Sequence, residues 1–323
     1  MERAYLGGTG IRISRIILGC GNFGGVGSSP AFFGRGETRE DAFAIMDAAW
    51  EAGITTFDTA DAYGGGRSES WIGDWLRTKG GDVRDAIVLS TKTFNPMDDG
   101  ADHGLAPDRV KRQLESSLER LGVERVQMYL THEPDPDVPI EETLGALDEL
   151  VRAGKAGAIG ASNVDGAQLR EALAVPQGAR YAWVQNSYSL LDREAEREVL
   201  PLCAETGLGF TPFSPLAGGW LTGKYTRGAE APAGSRMTQR PEPYAHFVED
   251  DAVWRGLDGL AAAAAARGTS QAALALAWLL ADPRVTAVVV GPRRPEHLEP
   301  ALTALEQPAT ATERDQLSRL FAR

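Results

Sequence analysis

The chain has 323 residues, 43% hydrophobic and 24% charged, enough to bury a large core as one α/β barrel or two ordinary domains. Acids outnumber bases 45 to 33, a formal charge of −12, which argues against nucleic acid or an anionic membrane as the main partner. Cys20 and Cys203 have no metal-ligand spacing and read as free thiols of a reducing compartment, so no metal site is expected.

The opening "MERAYLGGTG" has no apolar core and no small-residue cleavage site, so a cytoplasmic location is expected. The longest apolar stretch, "QAALALAWLLA" at 271–281, is too short to span a bilayer. Residues 3–14, "RAYLGGTGIRIS", read as a small hairpin, a lid on whatever follows. Eight short runs then recur, at 15–21, 55–60, 86–92, 126–132, 156–163, 181–186, 208–214 and 286–292. Each is apolar at consecutive positions, as parallel strands buried on both faces are.

Between them lie amphipathic segments. Residues 38–53 start on a Thr cap and stop at a Gly; 107–122 carry Pro near the start and Gly at the end. Segments 140–155 and 193–207 repeat the pattern, and the alanine run 261–266 also reads as helix. Eight alternations with short connectors predict an α/β fold of the (β/α)8 barrel type, a TIM barrel in one domain over 1–323, with an N-terminal β-hairpin. Two connectors, 94–106 and 215–250, are longer than the fold needs, as functional loops are.

Reactive residues fall at the ends of these runs. Asp58 ends the second, Lys92 the third, His132 the fourth, Ser162 and Asn163 the fifth. Gln185 ends the sixth, Phe213 and Ser214 the seventh, and Gly291 the eighth. In a (β/α)8 barrel all these ends share one face, where the active site sits. Tyr63 follows Asp58 by five residues and precedes three glycines, so Asp, Tyr, Lys and His converge. Singly, each has a plainer reading as a cap, a solvated charge or a structural histidine. Together they form a proton-donating set: a phenol whose high pKa a neighbouring ammonium lowers, a carboxylate that fixes the ammonium, and an imidazole that donates to a substrate oxygen. The set has no evident nucleophile, so it needs a hydride source. "GCGNFG" at 19–24 matches a dinucleotide-binding glycine pattern, but no helix opens there as that motif demands. Its glycines instead leave room at the first strand's end.

The sequence strongly resembles the aldo-keto reductase superfamily, through "FDTADAYGGGRSES", "STK", "THEPDP", "IGASN", "VQNSYSLLDRE" and "FSPLAGGWLTGKY", over nearly the whole chain. The resemblance implies a barrel that binds NADPH, with NADH as the alternative, and reduces aldehydes or ketones. It implies Tyr63 as general acid, Lys92 and Asp58 as its tuning pair, and His132 as the donor that orients a small carbonyl substrate. Ser162, Asn163 and Gln185 match positions that hold the nicotinamide carboxamide, and Phe213 the aromatic stacked on its ring. Ser214, Leu216, Gly218 and Lys224 match the segment around the pyrophosphate. The last loop departs from the family pattern, with His297 and Ala301 where a basic or amide residue and an asparagine are usual; Arg293 and Arg294 remain as phosphate ligands. A non-catalytic regulatory subunit of the same fold and a keto-sugar reductase are the alternative readings.

Overall fold

The computed structural model describes residues 1–176, 178 and 180–322. The strands are β1 (Arg3–Tyr5), β2 (Arg12–Ser14), β3 (Ile16–Gly19), β4 (Thr56–Asp58), β5 (Val88–Thr93), β6 (Val126–Thr131), β7 (Ala156–Ser162), β8 (Tyr181–Gln185), β9 (Gly209–Phe210) and β10 (Val288–Val290). β1 and β2 pair antiparallel, and the other eight form one parallel sheet in the order β10-β3-β4-β5-β6-β7-β8-β9. The sheet curls into a (β/α)8 barrel, and each of the eight expected runs holds one of its strands, β5 extending one residue past its run to Thr93. The edges β9 and β10 meet at a seam bridged by Thr286 N–H to Phe210 O (2.8 Å) and Val289 N–H to Pro212 O (2.9 Å). β9 is shorter than the apolar run 208–214 because Pro212 has no N–H to give a ladder.

The hairpin plugs the N-terminal mouth of the barrel. Leu6 and Ile13, fully buried, pack with Ile17, Met128, Leu130, Trp183 and Val289 from the inner wall. Ser14 fixes it in place, accepting from the backbone N–H groups of Thr55 (3.3 Å) and Thr56 (3.2 Å) while its own N–H donates to Thr56 Oγ1 (3.0 Å).

Helix limits follow the local signals. Thr38 caps Arg39–Glu51 in a reciprocal box with Asp41. Pro107–Leu121 ends at Gly122 in the left-handed conformation, and Ile140–Arg152 and Asp251–Arg267 form as the pattern predicts. The expected helix 193–207 is broken into a short turn Glu194–Glu196 and a helix Val199–Thr206. The cause is Pro201, whose ring clashes with the carbonyl one turn earlier, so the helix can start only just before it. The long connector 215–250 is compacted by three short helical pieces, Ala217–Thr222, Arg236–Gln239 and Ala245–Phe247.

Candidate active site

The C-terminal strand ends gather the four reactive side chains. Asp58, Lys92 and His132 are 3%, 0% and 8% exposed. Lys92 Nζ donates to Asp58 Oδ2 (2.6 Å), to Thr59 O (2.9 Å) and to Tyr63 Oη (3.4 Å). Tyr63 Oη lies 3.5 Å from His132 Nε2. The second Asp58 oxygen accepts from Ser90 Oγ (2.9 Å) and Gln185 Nε2 (3.1 Å), so the carboxylate is held from two strands, β5 and β8.

Tyr63 reaches this point because of the glycines behind it. It opens a tight turn, Tyr63–Gly66, in which Gly64, Gly65 and Gly66 have φ of 60°, 68° and 86°. Three successive left-handed residues are open only to glycine without strain. The glycines after β3 serve the same turn: a Cβ on Gly25 would lie 2.7 Å from Gly64 Cα, and one on Gly21 would touch the Tyr63 ring at 3.5 Å. The room expected at the first strand's end is therefore taken by Tyr63 and its turn.

Burial decides the titration of the set. Burial opposes the charge on Lys92, but Asp58, aided by Tyr63, outweighs it and raises the ammonium's pKa. Burial also pushes the Tyr63 phenol up, with Lys92 pulling it down and Asp58 pushing it further up; the net shift is upward. This corrects the expectation that Lys92 brings the phenol below its ordinary value. Burial, then the Lys92 charge, hold His132 well below its usual range, so its imidazole is neutral.

A second buried polar layer supports the first, and the sequence did not reveal it. Glu69, fully buried, accepts from Thr91 Oγ1 (2.5 Å) and Arg120 Nε (2.7 Å). Arg109 donates to Thr93 Oγ1 (2.9 Å) and to the carbonyls of Gly104 (2.9 Å), Asn95 (3.0 Å) and Asp102 (3.0 Å), which fastens the loop 94–106 to β5. Between them lies Asp61; burial and then Glu69 push its carboxyl up to about 7.

The remaining candidates form two further groups. Ser162, Asn163 and Gln185 stand at the ends of β7 and β8, beside the tetrad: Asn163 Nδ2 donates to His132 O (2.9 Å) and to Ser162 Oγ (3.3 Å). Phe213, Ser214, Leu216, Gly218 and Lys224 lie on the loop after β9, and Gly291, Arg293, Arg294 and His297 on the loop after β10. Lys224, Arg236 and Arg293 are close enough that burial and their mutual repulsion lower the pKa of Lys224. Arg236 and Arg240 carry no signal in the sequence; Arg236 bonds to Asn22 Oδ1 (3.2 Å) and Arg240 to Val26 O (3.4 Å). Arg294 is exposed and lies toward Asp41 and His297. A cleft of about 640 Å³ opens beside Ser187, Ser214, Tyr244 and Phe247, and none of the four tetrad residues lines it.

Two observations suit these loops to an anionic ligand. Among the described residues, the non-glycine positive-φ positions are Asn163 (56°), Ser214 (51°) and Ala217 (46°), all beyond β7 and β9; such strain gathers at ligand clamps. Cations concentrated on a chain of net charge −12 suit phosphate oxygens.

The family model "Aldo/keto reductase family" matches residues 15–321. The uncharacterized oxidoreductase YrpG of Bacillus subtilis (strain 168) is 38% identical over 318 residues, 95% of this chain and 91% of its own. L-glyceraldehyde 3-phosphate reductase of Escherichia coli O157:H7 is 34% identical over 324 residues, 97% of this chain and 90% of its own. NADH-specific methylglyoxal reductase of Escherichia coli (strain K12) is 33% identical over 322 residues, 94% of each chain. No described helix is long and apolar enough to cross a membrane. The chain belongs to the aldo/keto reductase family, a family of oxidoreductases that uses a nicotinamide cofactor.

Proposed function

We propose that the protein reduces an aldehyde or ketone group of a small molecule to the alcohol, with NADPH as donor and Tyr63 as general acid. The observation that carries this reading is the position of one phenol, 3.4 Å from a buried ammonium and 3.5 Å from a neutral imidazole. A nicotinamide dinucleotide held at the strand ends and by the loops after β9 and β10 would supply the hydride from its reduced ring. Ser162, Asn163 and Gln185 would hold its carboxamide and Phe213 its ring face, while Ser214, Leu216, Gly218 and Lys224 would line the pyrophosphate. Gly291, Arg293, Arg294 and His297 would surround the far phosphate.

The chain's own residues do the proton work. The raised phenol stays protonated at neutral pH, so Tyr63 has a proton to give when negative charge develops on the carbonyl oxygen. As the proton leaves, Lys92 meets the new phenolate charge, and Asp58 keeps Lys92 charged and aimed. Neutral His132 donates a hydrogen bond to the same oxygen without adding a charge that would repel Lys92. Burial strengthens each of these interactions.

The test is NADPH oxidation against a panel of aldehydes, ketones and keto-sugars, with Tyr63→Phe as control. The reading fails if no carbonyl is turned over, or if the variant keeps the parent's rate.

A further inference from the structure

We propose that Glu37 limits how strongly this site prefers a nucleotide bearing a 2′-phosphate, by occupying Arg293 in advance. The inference rests on the reading that a dinucleotide's phosphates meet the loops after β9 and β10.

Glu37 ends the long loop after β3, just before the Thr38 cap. Its backbone is fixed on both sides: its N–H donates to Asn22 O (2.8 Å), and its carbonyl accepts from Gly24 N–H (3.1 Å). The side chain is only 5% exposed and pairs through Oε1 with Arg293 Nε. Its other oxygen, Oε2, is buried and has no hydrogen-bond partner. A buried carboxylate with an unmet oxygen is unfavourable by itself. Burial raises the carboxyl's pKa; the facing Arg293 opposes that rise without cancelling it, and Arg236 lies within electrostatic reach.

Arg293 also donates through Nη1 to Gly234 O, so two of its nitrogens are committed. A guanidinium grips phosphate best when two parallel N–H groups are free and its charge is unanswered. Here the charge is answered by Glu37, and an arriving dianion meets that carboxylate as well as the cation. Lys224 and the other cations still attract the diphosphate that both forms of the dinucleotide carry. Only the extra phosphate depends on Arg293. Glu37 therefore acts on discrimination, not on binding in general.

A plainer role would be mechanical: Glu37 tying the loop after β3 to the loop after β10. Loss of a tie loosens every nucleotide alike. Loss of a competing charge tightens only the one with the 2′-phosphate.

Calorimetric titration of 2′,5′-ADP and of ADP separates the two roles. Glu37→Gln should tighten 2′,5′-ADP about tenfold, as expected for removing one facing charge in a partly shielded site, and leave ADP within twofold. Equal tightening, no change in the ratio, or weakening of both overturns the proposal. Should Glu37→Gln not fold, as its melting curve will tell, Glu37→Asp draws the carboxylate back from Arg293; a smaller gain for 2′,5′-ADP alone is expected, and none overturns the proposal. If neither nucleotide binds the parent, the cofactor reading itself falls, and this inference with it. If both bind and the ratio does not move, the inference falls alone.

Discussion

The two ends of the barrel are made from the same eight strands and differ in almost everything else. At the N-terminal end Leu6 and Ile13 close over Ile17, Met128 and Trp183, a cluster of apolar side chains. At the C-terminal end a fully buried Lys92 faces Asp58 and a buried Glu69 faces Arg120, and backbone strain gathers at Asn163, Ser214 and Ala217. The difference shows how the fold divides its tasks along the strand axis. Apolar burial is favourable wherever it occurs. Buried charges are tolerated only when each is answered.

The largest expected effect comes from the polar end. Tyr63→Phe should lower carbonyl reduction by about a hundred- to ten-thousandfold, with nucleotide affinity and melting temperature unchanged. Steady-state kinetics, titration and a melt check all three, and turnover within a few fold of the parent would erase the contrast between the ends. Lys92→Met should be as inactive but also less stable by roughly 3–5 kcal/mol, because Asp58 is left buried without its partner.

The mirror experiment is at the plug. Leu6→Ala should lower stability by about 2–5 kcal/mol, measured by urea unfolding, with kcat unchanged at temperatures where the variant is folded. A kcat loss as large as the Tyr63 effect would mean the two ends are not separate.

Asp61→Asn gives a smaller and pH-dependent effect. Its carboxyl is pushed up to about 7, whereas an unfolded aspartate titrates near about 3.9. Between these values the native state holds a proton that the unfolded chain has lost. This stabilising contribution is complete below about pH 4 and is lost as pH rises through about 7. The amide removes that slope, so the variant should gain on the parent at pH 8 and match it at pH 4. Urea midpoints at both pH values decide it; an equal loss at each would show that only the shape of Asp61 matters.

The smallest effect belongs to exposed Arg294. Its replacement by alanine should shift the kcat/KM ratio for NADPH over NADH by a few fold at most, since exposed charges are screened.

The sequence made much of this plain, for a physical reason. The barrel strands are buried on both faces, so they read as unbroken apolar runs, and the tetrad sits where those runs stop. What stayed hidden depends on partners far apart in the chain. Glu37 and Arg293 are 256 residues apart, and neither residue's type announces the other. Arg109, Arg236 and Glu69 look like ordinary surface charges until the fold buries or groups them. The sequence points to the wrong direction for the Tyr63 shift because proximity to Lys92 shows in the family motif, whereas the depth of burial does not. Pro201 was visible in the segment 193–207, yet the amphipathic pattern around it masked the break.

The seam between β9 and β10 has a mechanical consequence. Elsewhere neighbouring strands pair as parallel ladders, with a register shift between β7 and β8; at the seam the wall rests on a few single bonds around a two-residue strand, and Pro212 cannot add another. In a closed ring, deformation concentrates at the most compliant joint. The loops that bear Phe213 and Arg293 leave the wall on opposite sides of that joint. A slight opening of the seam would therefore move these two loops apart before any other pair of strands has to let go.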